Sequence, residues 1–179
     1  DDTKALEYFN KSIQALGNTG QSPFAYNGIA KLYLRKGNTD EALKYNNLAL
    51  SIAEKTGGKI HIMQTLFEIA NVYLKKNHLS TALDYYTRSE VMAKELGSKT
   101  DLQKLYEKMS ETYQKIGDFN KAYTYQKELG SIKDSLFNEN TEKKQHEQIP
   151  RSLLAHEYGA DDKLRIENKK TQLDVDLGA

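Results

Sequence analysis

The feature that most constrains the fold is an internal repeat in the middle of the chain. Four positions recur without a gap: Ala30, Tyr33, Gly37 and Ala42 are followed by Ala70, Tyr73, Asn77 and Ala82, and then by Ser110, Tyr113, Gly117 and Ala122. Each step is 40 residues, from 42 to 82 and from 82 to 122. Repeats of fixed period are typical of chains in which one supersecondary unit stacks on the next. We therefore expect a linear array of similar units.

Each unit has the pattern of two helices joined by a short turn. An apolar helical segment ends at a Gly or Asn that can adopt the left-handed conformation, and a second helix starts a few residues later. The Ala after the turn, Ala42 in the first unit, is small enough to let the two helices approach closely. The pattern predicts three helix pairs and no strand before residue 150: 24–36 with 39–55, 61–76 with 79–96, and 100–116 with 119–138.

The run from Ala30 to Ala42 carries a recognisable motif. Its small residue, two-residue gap, Tyr, Gly and final Ala resemble the tetratricopeptide repeat (TPR). The period exceeds the usual length of about 34 residues and approaches that of armadillo and HEAT repeats, but the motif favours TPR over those families. The extra residues fall between units, at 54–59 and 94–99. The resemblance implies an all-α, TPR-type helix-pair solenoid wound as a right-handed superhelix.

The repeats divide the chain into a long solenoid, residues 1–148, and a tail, residues 149–179. Within the solenoid we expect the second helix of a partial repeat at 1–17, repeats at 24–56, 61–97 and 100–138, and a polar helical extension to 148. The segment 133–144 resembles the junction that follows the last repeat in bacterial TPR-containing sensor histidine kinases and related regulators. Because the sequence begins within a helix, we expect it to be part of a longer protein.

The tail has two interpretations that the sequence leaves open. Pro150 interrupts the preceding helix. Beyond it, apolar residues alternate with polar ones on both sides of a polar turn, which predicts a β-hairpin at 163–177 that would cap the exposed flank of the last repeat. The alternative is a disordered tail.

Composition argues against several classes of partner. Lys and Arg number 26 against 25 Asp and Glu, a net charge of +1, so no global field favours nucleic acid. The sequence has no Cys and no apolar run long enough to span a membrane, so we expect no disulfide and no direct membrane insertion. The compartment stays open between the bacterial periplasm and cytoplasm, with a preference for an extracytoplasmic sensor region.

Catalytic and metal-binding patterns are equally scarce. The four His residues, at 61, 78, 146 and 156, lack the spacing that places two on one helix face, so no metal site is predicted. Gly57 and Gly58 lie between predicted helices and not after a strand, which argues against a phosphate-binding loop. We therefore expect neither enzymatic activity nor a bound cofactor.

The remaining candidate site follows from the resemblance, because the first helix of each TPR pair lines a concave groove. Nine residues lie on the corresponding stripe: Asn27, Lys31, Arg35, Phe67, Asn71, Lys75, Glu107, Glu111 and Lys115. Phe67 is the expected apolar anchor, and we expect its truncation to leave folding almost intact. The stripe changes from basic to acidic along the array, which suits a peptide or helix of opposite charge polarity. The alternative is that these residues form ordinary solvated helix faces.

Two functions are consistent with this sequence. The first is a protein or peptide interaction module, the TPR part of a bacterial signalling or regulatory protein, that binds its partner in the groove. The second is a structural segment that forms a homodimer and transmits conformation to an output domain, with no ligand in the groove.

Overall fold

The computed structural model describes residues 2–16 and 22–147, with side chains at 4–15 and 22–144. This part of the chain consists of seven α-helices and contains no strand. The helices are α1 (Asp2–Leu16), α2 (Pro23–Arg35), α3 (Thr39–Thr56), α4 (Lys59–Lys75), α5 (Leu79–Glu95), α6 (Lys99–Ile116) and α7 (Phe119–Glu147). The predicted all-α, TPR-type helix-pair solenoid is confirmed. The hairpin or disordered tail predicted at 149–179 lies outside the described residues.

The turn within each pair has the geometry that the sequence predicts. Gly37, Asn77 and Gly117 have positive φ angles of 83°, 61° and 89°. In each turn the next backbone N–H donates to the carbonyl of the repeated Tyr, at 2.9 Å in the first and second pairs and 3.0 Å in the third. This bond satisfies a carbonyl that the end of the helix would leave unpaired, and it reverses the chain within three residues.

The repeated Ala residues lie where the two helices of a pair meet. Ala42 and Ala82 have no exposed surface, and Ala122 is almost as deeply buried. A core cluster then joins the second pair to the third, with Tyr86 of α5 packed among residues of α6 such as Leu105 and Met109. Burial of these apolar side chains between consecutive pairs is the main force that holds one unit on the next.

A stacked pair of Tyr rings occurs in every unit. The repeated Tyr of the first helix lies parallel to a Tyr of the second helix, with an interplanar angle of 9° in all three pairs and centroid separations of 5.5, 5.5 and 5.6 Å. The pairs are Tyr33–Tyr45, Tyr73–Tyr85 and Tyr113–Tyr125. Such offset-stacked rings stabilise the contact beyond their buried area. These six Tyr residues therefore have a structural role in the repeat.

The chain divides into two units, Asp1–Leu136 and Phe137–Ala179. The first contains the three helix pairs and the groove described below. Of the second, the structure describes the end of α7, which is polar after Phe137, a residue that is itself exposed. In this segment the Thr141 hydroxyl donates to the carbonyl of Phe137 at 2.8 Å, as is common for Thr within helices.

Candidate binding groove

An open groove with a volume of about 360 Å³ lies among α1, α2, α4, α5 and α6. Its lining combines an apolar floor with a few charged and polar groups. The lining residues are Phe9, Phe24, Asn27, Gly28, Lys31, Met63, Gln64, Phe67, Glu68, Ser89, Asp101, Lys104 and Leu105. Concave sites with mostly apolar walls and a small number of polar groups are the usual form of a ligand site.

One end of the groove is aromatic because α1 and α2 approach closely. The rings of Phe9 and Phe24 meet edge to face with centroids 6.2 Å apart. A Cβ atom at position 28 would lie 2.3 Å from a carbon of the Phe9 ring, so Gly28 is needed for this approach. Phe24 nevertheless leaves 66% of its surface exposed, and it is available to an apolar group in the groove.

Phe67 lines the middle of the groove, but it also belongs to the core. Its ring centroid lies 5.6 Å from that of Tyr86, and its side chain packs against the cluster that joins the second and third pairs. The expectation that truncation of Phe67 leaves folding almost intact is therefore wrong. Removal of the ring would take contacts from Tyr86 as well as from a ligand.

Asn27 also differs from the sequence-based expectation, because its side chain is buried. Its Nδ2 donates to Oγ1 of Thr65 at 2.8 Å, and that hydroxyl in turn donates to the carbonyl of His61 at 2.7 Å. This chain of hydrogen bonds connects α2 with α4. Asn27 lines the groove, yet most of its surface is covered by the packing of these two helices.

A second polar chain runs from the core to the groove. Lys31 forms a 3.0 Å ion pair with Oε1 of Glu68, and Nδ2 of Asn71 donates to Oε2 of the same carboxylate at 3.3 Å. The hydroxyl of Tyr86 donates to Oδ1 of Asn71 at 2.6 Å. Burial, with the nearby carboxylates of Glu111 and Glu68, raises the pKa of Tyr86, so this hydroxyl stays protonated and keeps donating. Glu68 is thereby fixed at the groove wall.

The opposite wall carries a similar arrangement on α6. Oδ1 of Asp101 accepts from Nζ of Lys104 at 3.3 Å, and Oδ2 accepts from the Ser98 hydroxyl at 2.7 Å. The two groove carboxylates, Glu68 and Asp101, are thus each held by one Lys and by one neutral donor.

The structure brings three of the nine predicted site residues, Asn27, Lys31 and Phe67, together in the lining. In the described part of the chain the other six lie on α2, α4 and α6, outside the lining. They are Arg35, Asn71, Lys75, Glu107, Glu111 and Lys115. Glu111 accepts from Lys108 at 2.8 Å and pairs with Lys115 at 3.1 Å. The hydrogen bond from Lys108, helped by Lys115, lowers the pKa of Glu111 against the opposing effect of burial.

Three lining residues that the sequence reasoning missed follow a simple rule. Phe24 and Lys104 lie one helical turn before Asn27 and Glu107, and Gln64 has the same relation to Phe67. Extending the stripe by one turn towards each helix start would have found all three. No such signal exists for Glu68, since the equivalent positions in the other repeats are Gly28 and Lys108.

The described residues contain no group of three or more His, Asp or Glu side chains that could hold a metal ion. None of the described helices is long and apolar enough to cross a membrane.

Comparison with known proteins agrees with this fold. Residues 21–95 match the family model described as tetratricopeptide repeat, which is less than half of the chain. The fold is of the tetratricopeptide-repeat type. No curated protein matches the chain.

Two solved structures with a similar TPR-type arrangement are informative about the fold. The chain is similar to aspartyl phosphate phosphatase F from Bacillus subtilis, with 16% sequence identity and a TM-score of 0.70, over 99% of this chain and 47% of the phosphatase. It is also similar to a Podosopora anserina putative kinesin light chain with nearly identical TPR-like repeats, with 15% identity and a TM-score of 0.59, over 75% of this chain and 68% of that one. The chain thus spans about half the length of the phosphatase, and at these identities the likeness concerns the fold alone.

Proposed function

We propose that this chain is a protein-interaction module that binds a peptide or a partner helix in the groove. The observation that carries the proposal is the open groove itself, with exposed aromatic surface on its floor and charged groups on both walls. A mostly apolar concavity with a few polar groups is the usual form of a ligand site. A peptide or amphipathic helix is the usual occupant of such a groove.

Phe24 is the anchor of this proposed site, and Phe67 lines the same groove. Buried aromatic anchors contribute most of the binding energy in such interfaces, and charged residues at the rim contribute less. Because Phe24 is mostly exposed in the unbound chain, an apolar ligand side chain would remove much of its surface from water. Phe67 would contribute contacts from one face while it stays packed on Tyr86.

The biological setting that we propose is a bacterial signalling or regulatory protein. The support is the resemblance of residues 133–144 to the junction that follows the last repeat in TPR-containing sensor kinases. The Bacillus protein of similar fold is named as a phosphatase, and this name describes the Bacillus protein alone. The same proposal places the chain in the bacterial periplasm or cytoplasm, with a preference for an extracytoplasmic sensor region.

A second candidate function rests on a different surface. Phe119 and Tyr123 of α7 are 71% and 72% exposed, and they flank a shallow depression with Gln114, Ala122 and Gln126. In the second repeat the position equivalent to Tyr123 is Leu83, which is half-buried against the core cluster that includes α6. Among the described residues this face of α7 is exposed, which favours the alternative that the chain is an oligomerisation or spacer segment, a homodimer for example, whose groove has no ligand.

The two functions can be separated with one matched pair of variants. Peptides selected from a phage-displayed random library by the immobilised chain would be titrated against wild type, Phe24→Ala and Phe119→Ala by fluorescence anisotropy. Both variants remove one mostly exposed Phe ring, but only Phe24 lies in the groove. We expect Phe24→Ala to weaken binding by about 1–3 kcal/mol and Phe119→Ala to leave binding unchanged.

The opposite result would favour the spacer function. If Phe24→Ala binds the selected peptides as wild type does, and Phe119→Ala loses them or changes the mass measured by sedimentation equilibrium, the groove proposal fails. Melting curves of both variants show whether either substitution acts through unfolding.

A further inference from the structure

The four charged residues of the groove are not equally accessible. The side chain of Lys31 is 58% exposed and that of its partner Glu68 only 11%. The side chain of Lys104 is also 58% exposed, and that of its partner Asp101 is 23% exposed. In both ion pairs the Lys side chain is therefore the more exposed partner.

The hydrogen bonds increase this asymmetry. Both oxygens of Glu68 accept bonds, one from Lys31 and one from Asn71, and both oxygens of Asp101 accept bonds, one from Lys104 and one from Ser98. An ammonium group has three N–H donors, and each of these ion pairs uses one. The formal charge of the lining is balanced, but its most exposed charged side chains are those of Lys31 and Lys104.

The acidic residues of the third repeat do not reverse this character. Glu111, which the sequence placed on an acidic part of the stripe, is paired with both Lys108 and Lys115. Glu107 lies outside the groove lining in the described part of the chain. The change from basic to acidic that the sequence suggested is thus not what the lining presents.

We propose that the groove selects an acidic peptide segment in which an aromatic or large aliphatic residue is flanked by Asp or Glu. This inference rests on the proposed function and specifies the partner. The apolar side chain would lie on Phe24 and Phe67, and the flanking carboxylates would accept hydrogen bonds from Lys31 and Lys104. Each ammonium would then be shared between a protein and a ligand carboxylate. A basic segment would meet the same ammonium groups, while the carboxylates that could offset its charge are only 11% and 23% exposed.

The test uses three fluorescein-labelled peptides of the same length and apolar residues. Their central Leu-Phe is flanked on both sides by Glu, by Gln or by Lys. For the wild-type chain at low salt we expect the Glu peptide to bind about tenfold more tightly than the Gln peptide, and the Lys peptide to bind most weakly. Exposed charge pairs account for a preference of this size, about two- to fivefold for each Lys. The preference should shrink as the salt concentration rises.

The matched variants are Lys31→Gln with Lys104→Gln in one chain, and Lys44→Gln as a control. Lys44 is 64% exposed and pairs with Glu41 at 3.4 Å on α3, outside the groove lining. The double variant should lose the preference for the Glu peptide but keep its affinity for the Gln peptide, whereas Lys44→Gln should keep both. Melting curves identify any loss that comes from the unpaired Glu68 and Asp101.

Two results would overturn the inference. One is a Gln or Lys peptide that binds wild type as tightly as the Glu peptide, and the other is a preference for Glu that persists in the double variant. In either case the Phe24→Ala titration with library-selected peptides still decides whether the groove binds peptides at all. Failure of the charge selection is therefore distinguishable from failure of the proposed function.

Discussion

The hydroxyl of Tyr86 on α5 donates a 2.6 Å hydrogen bond to Oδ1 of Asn71 on α4. This bond joins the core of the second helix pair to a groove carboxylate, because Nδ2 of Asn71 donates to Glu68. It also fixes the orientation of the Asn71 amide, since the oxygen must face the hydroxyl and the nitrogen must face the carboxylate. The position of one groove wall thus depends on a buried residue of the second helix.

Tyr86→Phe tests this relationship. The substitution keeps the ring but removes the donor, so Oδ1 of Asn71 loses its partner. We expect the free energy of unfolding to fall by about 1 kcal/mol, the usual contribution of such a hydrogen bond. Urea denaturation measures this free energy. Tyr123→Phe is the control, because Tyr123 is largely exposed. Equal stability of the two variants would contradict the assigned role of the hydroxyl.

Alkaline pH provides an independent test of the same residue. Burial raises the pKa of Tyr86 and of Tyr125 above the ordinary Tyr value of about 10. As the pH rises through that value, the unfolded chain loses these protons while the folded chain keeps them, so stability falls above about pH 10. Each such Tyr contributes a slope of up to about 1.4 kcal/mol per pH unit. Tyr86→Phe should therefore lose stability less steeply than wild type between pH 10 and 12, and parallel curves would contradict this assignment.

The period of the sequence was sufficient to predict the helices, because each position of the repeat has a local physical role. The small residue at 82 and the left-handed residue at 77 are required wherever a pair forms. The same comparison could have revealed that Tyr45, Tyr85 and Tyr125 also recur and stack on the other repeated Tyr. These features can be predicted without knowing which helices pack against one another in the fold.

The groove depends on contacts that the period does not encode. Lys31 and Glu68 lie on different helix pairs, and their pairing requires the crossing of α2 and α4. The same is true of Lys76 with Asp40, which meet at 2.6 Å between consecutive pairs. The stripe included three residues of the groove lining, Asn27, Lys31 and Phe67, but it could not predict which charges are covered by a neighbouring helix. The coverage of each charged group determines which sign of charge the groove presents.

Asn77 is a position where the sequence departs from Gly at the turn within a pair. Among the described residues it is the only non-Gly residue with a positive φ angle, 61°. Asn tolerates this conformation better than most residues, but Gly adopts it without steric cost. We expect Asn77→Gly to change stability by less than about 1 kcal/mol and Asn77→Val to destabilise by about 1–2 kcal/mol. Thermal melts of both variants measure these changes in stability. A Val variant as stable as wild type would contradict the turn geometry.

Ala82→Leu tests the close approach of the two helices in the second pair. Ala82 is fully buried in the cluster that also holds Tyr86 and Met109, so a larger side chain must displace α4, α5 or α6. Overpacking of this kind costs about 1–3 kcal/mol. The equivalent Ala122→Leu should cost less, because the neighbouring Tyr123 and Phe119 leave that face of α7 open to relaxation. Thr87→Leu, at an exposed position of α5, serves as the control and should leave the melting temperature unchanged. If Ala82→Leu has the same melting temperature as the Thr87→Leu control, the helix pair does not depend on a small residue at this crossing. The repeat must then be held together by its Tyr stacks and its turn.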